Sequence, residues 1–282
     1  FRPVLDVYIQ ENFSATLVYN KLIAVLMSYI NDVKSMAENQ DILLRAMKSL
    51  EYIFKVIVRS RMLYAALNGG KGKSQFEDSL KKLLNSITNM MLSNDQATLL
   101  VQGACMKYFP FAITDILFVF NENELSYILA DLINNVPVDR LTKQKMMCIN
   151  DIVHCVLFTK YAECRSILLP VINDNLRLLL EKNQELELCV TILSDMLVVL
   201  YGRDVGPTKN DISDIMKTLL RTVIQSVINI DRKNSLVANL VTIMIGILRQ
   251  MTVNHYKEYL DNFVERIDLL DFLMEILLVF RD

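Results

Sequence analysis

The sequence predicts an all-α fold, a helical-repeat solenoid of antiparallel helix pairs. Three observations predict it. Apolar residues recur at helical spacing nearly end to end along the 282 residues, and an i, i+3, i+4, i+7 pattern puts them on one helix face. Only 7 Gly and 5 Pro punctuate the chain, far below average usage of about 7% and about 5%, so elements are long and connections short. Helix pairs recur at intervals of roughly forty residues, the period of stacked two-helix repeats.

In chain order the expected helices cover residues 4–11, 14–30, 40–67, 74–92, 95–108, 111–120, 122–135, 139–159, 162–181, 184–201, 208–229, 233–252, 254–263 and 265–280. The segment "FKVIV" at 54–58 is β-branched but lies inside a longer helical pattern, so it reads as helix. Pro110 breaks the pattern and Pro137 marks a turn. Pro170 lies within an apolar helical run and should kink that helix, because its missing N–H removes a backbone bond. The clearest stripe is Ile212, Ile215, Met216, Leu219, Leu220, Val223 and Val227. Gly206-Pro207 stops the helix before it, and Thr208, Asn210 and Asp211 are its candidate caps. "SLVANLVTIMIGIL" is apolar on more than one side, as a helix held between neighbours is. A period near forty residues is that of armadillo or HEAT repeats. No Ser/Gly-rich linker divides the chain, so residues 1–282 are expected to form one helical-repeat domain.

Composition sets limits on function. The chain is 52% hydrophobic, with 30 basic against 32 acidic residues and a net charge of −2. A nucleic-acid binder would show a basic excess or stripe, so no nucleic-acid partner is expected. The most apolar run, Leu236 to Leu248, is too short to span a bilayer. Fourteen methionines are spread along the chain, which suits gap-filling between helices. Cys105, Cys148, Cys155, Cys164 and Cys189 form no C-x-x-C pair. They read as reduced, mostly buried thiols. The chain begins "FRPVLDVYIQ" without an initiator Met, which predicts a segment of a longer polypeptide.

Residues 68–74, "NGGKGKS", end like a phosphate-binding loop. That loop is G-x-x-x-x-G-K-[ST] after a buried strand. Here the first glycine position holds Leu67, and a helical pattern precedes it. The stretch is expected to be a helix–helix turn, with Ser74 capping the following helix. His154, in "IVHCVLF", does not form a dyad with adjacent Cys155, because neighbouring helical residues point about 100° apart. His255 is expected at a helix start, where Asn254 could cap. Glu122/Glu124 and Asp211/Asp214 read as acids complementing helix N-termini. No catalytic, metal or cofactor-binding residue emerges. Arg59 and Arg61 in "VRSRM", with Lys71 and Lys73, form the one candidate contact surface, a basic patch for an acidic partner or anionic lipid headgroups. Cations at a helix C-terminus also complement its dipole, which accounts for part of the cluster.

Five phrases go beyond periodicity: "NFSATLVYNKLIAVL" (12–26), "LEYIFKVIVRSR" (50–61), "ECRSILLPVI" (163–172), "IMKTLLRTVI" (215–224) and "DFLMEILLVFRD" (271–282). In sequence and in order they resemble the middle region of the DOCK family of guanine nucleotide exchange factors, closest to the Rac-acting subfamily with ELMO partners. The "NGGKGKS" loop departs from the family pattern, as a tolerant surface turn would. The resemblance implies an armadillo- or HEAT-like scaffold between an upstream phospholipid-binding domain and a downstream exchange domain beyond Asp282. It implies no enzyme activity and no cofactor in this segment. Its implied partners are other domains of the same chain and, through the full-length protein, an ELMO-type regulator and a Rac-type GTPase. The full-length protein is expected to be a dimer, cytoplasmic, recruited to the plasma membrane through a neighbouring domain and subject to partner-regulated autoinhibition. The alternative is a free-standing helical-repeat adaptor or transport-type solenoid.

Overall fold

The computed structural model describes residues 2–31, 38–137, 139–202, 204–263 and 265–281. Among the described residues every regular element is helical and no strand occurs. The chain packs as two compact units, residues 1–148 and 149–282.

In the first unit, α1 (Arg2–Val7) runs into a π-helical turn at Tyr8–Asn12. Then come α2 (Val18–Asn31), α3 (Gln40–Lys48), α4 (Leu50–Leu67), α5 (Lys73–Met90) and α6 (Leu99–Tyr108). A 3₁₀ turn at Phe109–Ala112 leads to α7 (Ile113–Ile116) and α8 (Glu122–Asn134), and α9 (Thr142–Val153) contains the boundary between the units. Helix α2 packs on α4 and α5, α3 on α6, and α5 on α8. The apolar stripes explain these contacts: Ile23 and Leu26 of α2, Phe54 and Ile57 of α4, and Leu80, Leu83 and Leu84 of α5 are all buried.

The second unit holds α10 (Val156–Lys160), α11 (Ala162–Glu181), α12 (Leu186–Leu200), α13 (Lys209–Asn229), α14 (Leu236–Gln250), α15 (Val253–Asp261) and α16 (Arg266–Val279). Alternate helices stack: α11 on α13, α12 on α14, and α13 on α16. Sequential helices also touch, α11 with α12 and α13 with α14. This is the nearest-neighbour arrangement of a helical repeat. Helix α13 is its centre. The predicted stripe, Ile212 through Val227, is buried along its length. Gly246 lets α14 close on α12, since a Cβ there would meet Leu197 Cδ1 at 3.1 Å.

Several boundaries differ from expectation. The expected helix 40–67 divides at Ser49, whose backbone (φ −102°, ψ 11°) is not helical. Met47 and Leu50 on either side are both fully buried, so the apolar pattern runs through the bend without marking it. The expected helix 139–159 stops at Val153, and Cys155 takes an extended backbone (φ −76°, ψ 163°) before α10 begins. Expected helix 111–120 contracts to the single turn of α7. Helix α11 is continuous through Pro170 from Ala162 to Glu181, the span that periodicity predicts. "FKVIV" lies inside α4. Met47, Met106, Met146, Met216 and Met244 are fully buried core residues. No single helix among the described residues is long and apolar enough to cross a membrane.

Capping chemistry also differs in detail. Helix α15 starts at a capping box. The Thr252 hydroxyl accepts from the His255 N–H at 3.3 Å, and His255 Nδ1 accepts from the Thr252 N–H at 3.2 Å. His255 lies at the expected helix start and completes its cap, but Thr252 rather than Asn254 is the N-cap. Helix α13 has Thr208 at its N-cap position without a side-chain bond. Asp211 lies in the first turn of α13, as expected of an acid at a helix N-terminus, but it is buried.

Candidate functional site

The "NGGKGKS" turn is built by its glycines. The N–H of Gly70 donates to Ala65 O at 2.9 Å, across five residues. This closes α4 in a Schellman motif with Gly69 in the left-handed position (φ 59°). Gly70 and Gly72 follow at φ 75° and 70°, a region where a Cβ is strained. Helix α5 opens at Lys73 behind Gly72, so Ser74 sits inside the first turn and is not the cap. The N–H of Lys71 donates to Asn68 O at 3.2 Å. Two amides that a phosphate-binding loop would aim at its ligand are thus spent on the turn itself, and the element before it is helix.

The four basic residues do not form one patch. Arg59 and Arg61 are two apart on α4 and so point to different sides. Arg61 is only 4% exposed, which corrects its expected surface role. Its guanidinium donates to Lys71 O at 3.0 Å and lies 5.4–6.0 Å from the ring centres of Phe76, Tyr64 and Tyr19. Tyr19 meets Phe76 edge to face at 5.3 Å. Arg61 pins the glycine turn onto an aromatic cluster shared by α2, α4 and α5. Lys71 and Lys73 are exposed, with Lys73 3.7 Å from Glu77 in the next turn.

Arg59 is half-buried and lines a cavity of about 200 Å³ with Asp6, Ile9, Lys55, Val58, Met62, Asp115 and Phe118. Lys55 donates to Asp6 at 2.6 Å and to Glu51 at 3.1 Å. Burial alone would lower the Lys55 pKa, but these two hydrogen bonds outweigh it and raise it. Burial pushes Asp115 up to about 6, against the opposing charge of Lys55 and with help from Glu51 and Asp6. A cation held by two carboxylates beside a third acid is a structural ion cluster. The Arg59 Nε is buried there without a hydrogen-bond partner.

Two further buried cations carry no signal in the local sequence. Arg165 of α11 is fully buried. It donates to Asp211 at 2.9 Å, Phe158 O at 3.1 Å, Val205 O at 3.0 Å and Pro207 O at 3.3 Å. Lys145 of α9 donates to Val136 O at 2.8 Å, and burial lowers its pKa to about 8. Both sit amid helical apolar patterns and find their partners on other elements, Lys145 in the turn after α8 and Arg165 on α10, on α13 and in the turn between α12 and α13, which periodicity does not reveal.

The remaining candidates also take structural roles. Glu122 and Glu124 lie in the first turn of α8, capped by Asn121, and Glu124 pairs with Lys81 at 2.9 Å. Asp214 is pushed up by burial and by the charge of Asp211, and lowered by Lys217. His154 is exposed, with Nδ1 2.8 Å from Asn150 O and Nε2 3.4 Å from Asp195. Cys105, Cys148, Cys164 and Cys189 are buried, as expected for core thiols. Burial pushes the Cys105 thiol up to about 12, and Cys189 likewise, which opposes thiolate nucleophilicity.

Comparison with known proteins places this helical chain in a family. The family model described as the dedicator of cytokinesis (DOCK) TPR region matches residues 1–282. Human dedicator of cytokinesis protein 4 is 29% identical over 302 residues, and the human protein 3 is 30% identical over 308. The mouse protein 3 is 30% identical over 306 residues. Each alignment covers all of this chain but 15% of the relative. The chain belongs to the dedicator of cytokinesis (DOCK) family and corresponds to its helical TPR region.

Proposed function

We propose that this chain is a non-catalytic scaffold segment of a Rac-directed guanine nucleotide exchange factor. It sets the distance and angle between a phospholipid-binding module and an exchange module and contributes to partner-regulated autoinhibition. The observation that carries the reading is the match of the whole chain to a helical region that makes up 15% of its relatives. The site chemistry supports it: Arg61, Lys55, Arg165 and Asp211 are all engaged in holding helices together. Helices in nearest-neighbour contact suit a moderately elastic spacer.

In this reading the parent protein is cytoplasmic and dimeric. It reaches the plasma membrane through a neighbouring domain and meets an ELMO-type regulator and a Rac-type GTPase outside this segment. Lys71 and Lys73 are the part of the basic cluster left for an acidic partner. Arg59 contributes at most the outer edge of its side chain.

The test separates spacing from chemistry. In the full-length protein, Arg165→Ala weakens the scaffold without touching the exchange module. Exchange on a soluble GTPase should be unchanged, and exchange on a GTPase anchored to phosphoinositide vesicles should fall several-fold. An equal loss in both assays would contradict the positioning role.

A further inference from the structure

Helix α16 has two apolar faces and only one of them is covered. The inner face packs on α13. Phe272 and Val279 are buried there, and the Phe272 ring meets that of Tyr259 at a tilt of 59° with centres 5.2 Å apart. Glu275 takes a bidentate bond from Arg221 of α13 at 3.0 and 3.1 Å. The outer face carries Ile267, Leu270, Leu273, Met274, Leu277 and Phe280, each 44–62% exposed. At about 100° per residue these six fall within an arc of about 140°. Asp268, Asp271 and Glu275 all lie outside that arc, and of these the exposed Asp271 borders it, about 40° beyond Ile267.

A water-facing helix in the same unit looks different. The exposed positions of α11 include Glu163, Ser166, Pro170 and Asp174. A terminal repeat stays soluble by presenting such a polar outer face. The outer face of α16 is instead that of an internal helix.

The packing order identifies what covers it. Helix α11 stacks on α13, and α13 stacks on α16. The uncovered arc of α16 is the next position in that row. We propose that α16 is an internal layer of the stack and that this arc docks an amphipathic helix from a following segment of the same polypeptide. That helix presents an apolar stripe to Leu270, Met274 and Leu277, and a Lys or Arg side chain to Asp271. The inference rests on the reading of this chain as one segment of a longer DOCK-family protein, whose relatives are far longer than the segment.

Thiol labelling of Met274→Cys tests it, with the adduct assigned by peptide mass spectrometry so that Cys155 is read separately. In the 282-residue chain the new thiol should react quickly. In the longer polypeptide it should react at least about tenfold more slowly, at every protein concentration, because an intramolecular partner protects it. Equal rates in the two proteins overturn the proposal. Protection that grows with concentration overturns it in favour of a second copy, and protection that needs added vesicles overturns it in favour of a lipid surface. As a second readout, Leu270→Lys with Leu277→Lys should leave the melting of the 282-residue chain nearly unchanged while exposing the longer protein to proteolysis just after α16. Unaltered proteolysis of the longer protein would also overturn it. Loss of exchange-related function, by contrast, would bear on the scaffold role and not on this face.

Discussion

Arg165 and Asp211, 46 residues apart, meet at 2.9 Å with both side chains withdrawn from water. The pair ties α11 to the start of α13. Three backbone carbonyls complete the guanidinium's bonding, at Phe158, Val205 and Pro207. The desolvation cost of such a pair is large, and full hydrogen bonding is what offsets it.

Removing one partner leaves an uncompensated buried group. Arg165→Ala should therefore destabilise the chain by about 3–5 kcal/mol, and Asp211→Asn by less, because the carbonyls still hold the guanidinium. Arg165→Met with Asp211→Leu should recover much of the loss, since an apolar pair removes both charges. Denaturant titration of the three variants checks the order.

Lys145 supplies a pH signature. Burial lowers its pKa from 10.5 to about 8. Between those values the unfolded chain holds a proton that the folded chain has released, so this group's contribution to stability rises with pH. Below about 8 both states are protonated and its full cost is present. Lys145→Met removes the cost, so the variant's stability advantage should shrink as pH increases from 7.5 toward 10. Thermal melts across that range give the difference directly.

Asp115 acts in a lower window. Its pKa is raised from 3.8 to about 6 by burial, so the folded state holds a proton that the unfolded state has lost between those values. Its contribution to stability falls as pH rises through that window. Asp115→Asn should raise the melting temperature at pH 7.5 and change it little at pH 3.5. A gain of equal size at both pH values would place the effect elsewhere.

The glycine turn permits a sharper test of motif against context. Leu67→Gly completes the spacing of a phosphate-binding loop, at a cost of about 1 kcal/mol in helix propensity. The variant should still show no thermal stabilisation by Mg-ATP or Mg-GTP, because Gly70 and Lys71 spend their amides within the turn. Gly69→Ala and Gly70→Ala should each cost about 1–2 kcal/mol, since both positions have positive φ.

Much of this was legible in the sequence, for reasons that differ by element. The stripe from Ile212 to Val227 gave α13 almost to the residue, because one long helix with one buried face imposes a single period. The bend at Ser49 and the break at Cys155 were hidden, because buried residues continue on both sides of each. The separation of Arg59 from Arg61 follows from helical geometry once both lie on α4. The burial of Arg61 does not, since it depends on Tyr19 and Phe76 arriving from other helices. Arg165 is the extreme case: four partners between Phe158 and Asp211 define it, and no local pattern names them.

In the proposed function this segment positions an exchange module without performing exchange. The most direct measurement is release of fluorescent GDP from a Rac-type GTPase mixed with the purified 282-residue chain. A positioning segment should leave the rate equal to intrinsic release at every concentration of the chain, alongside rapid release by the full-length protein. Concentration-dependent acceleration by the chain alone would contradict it.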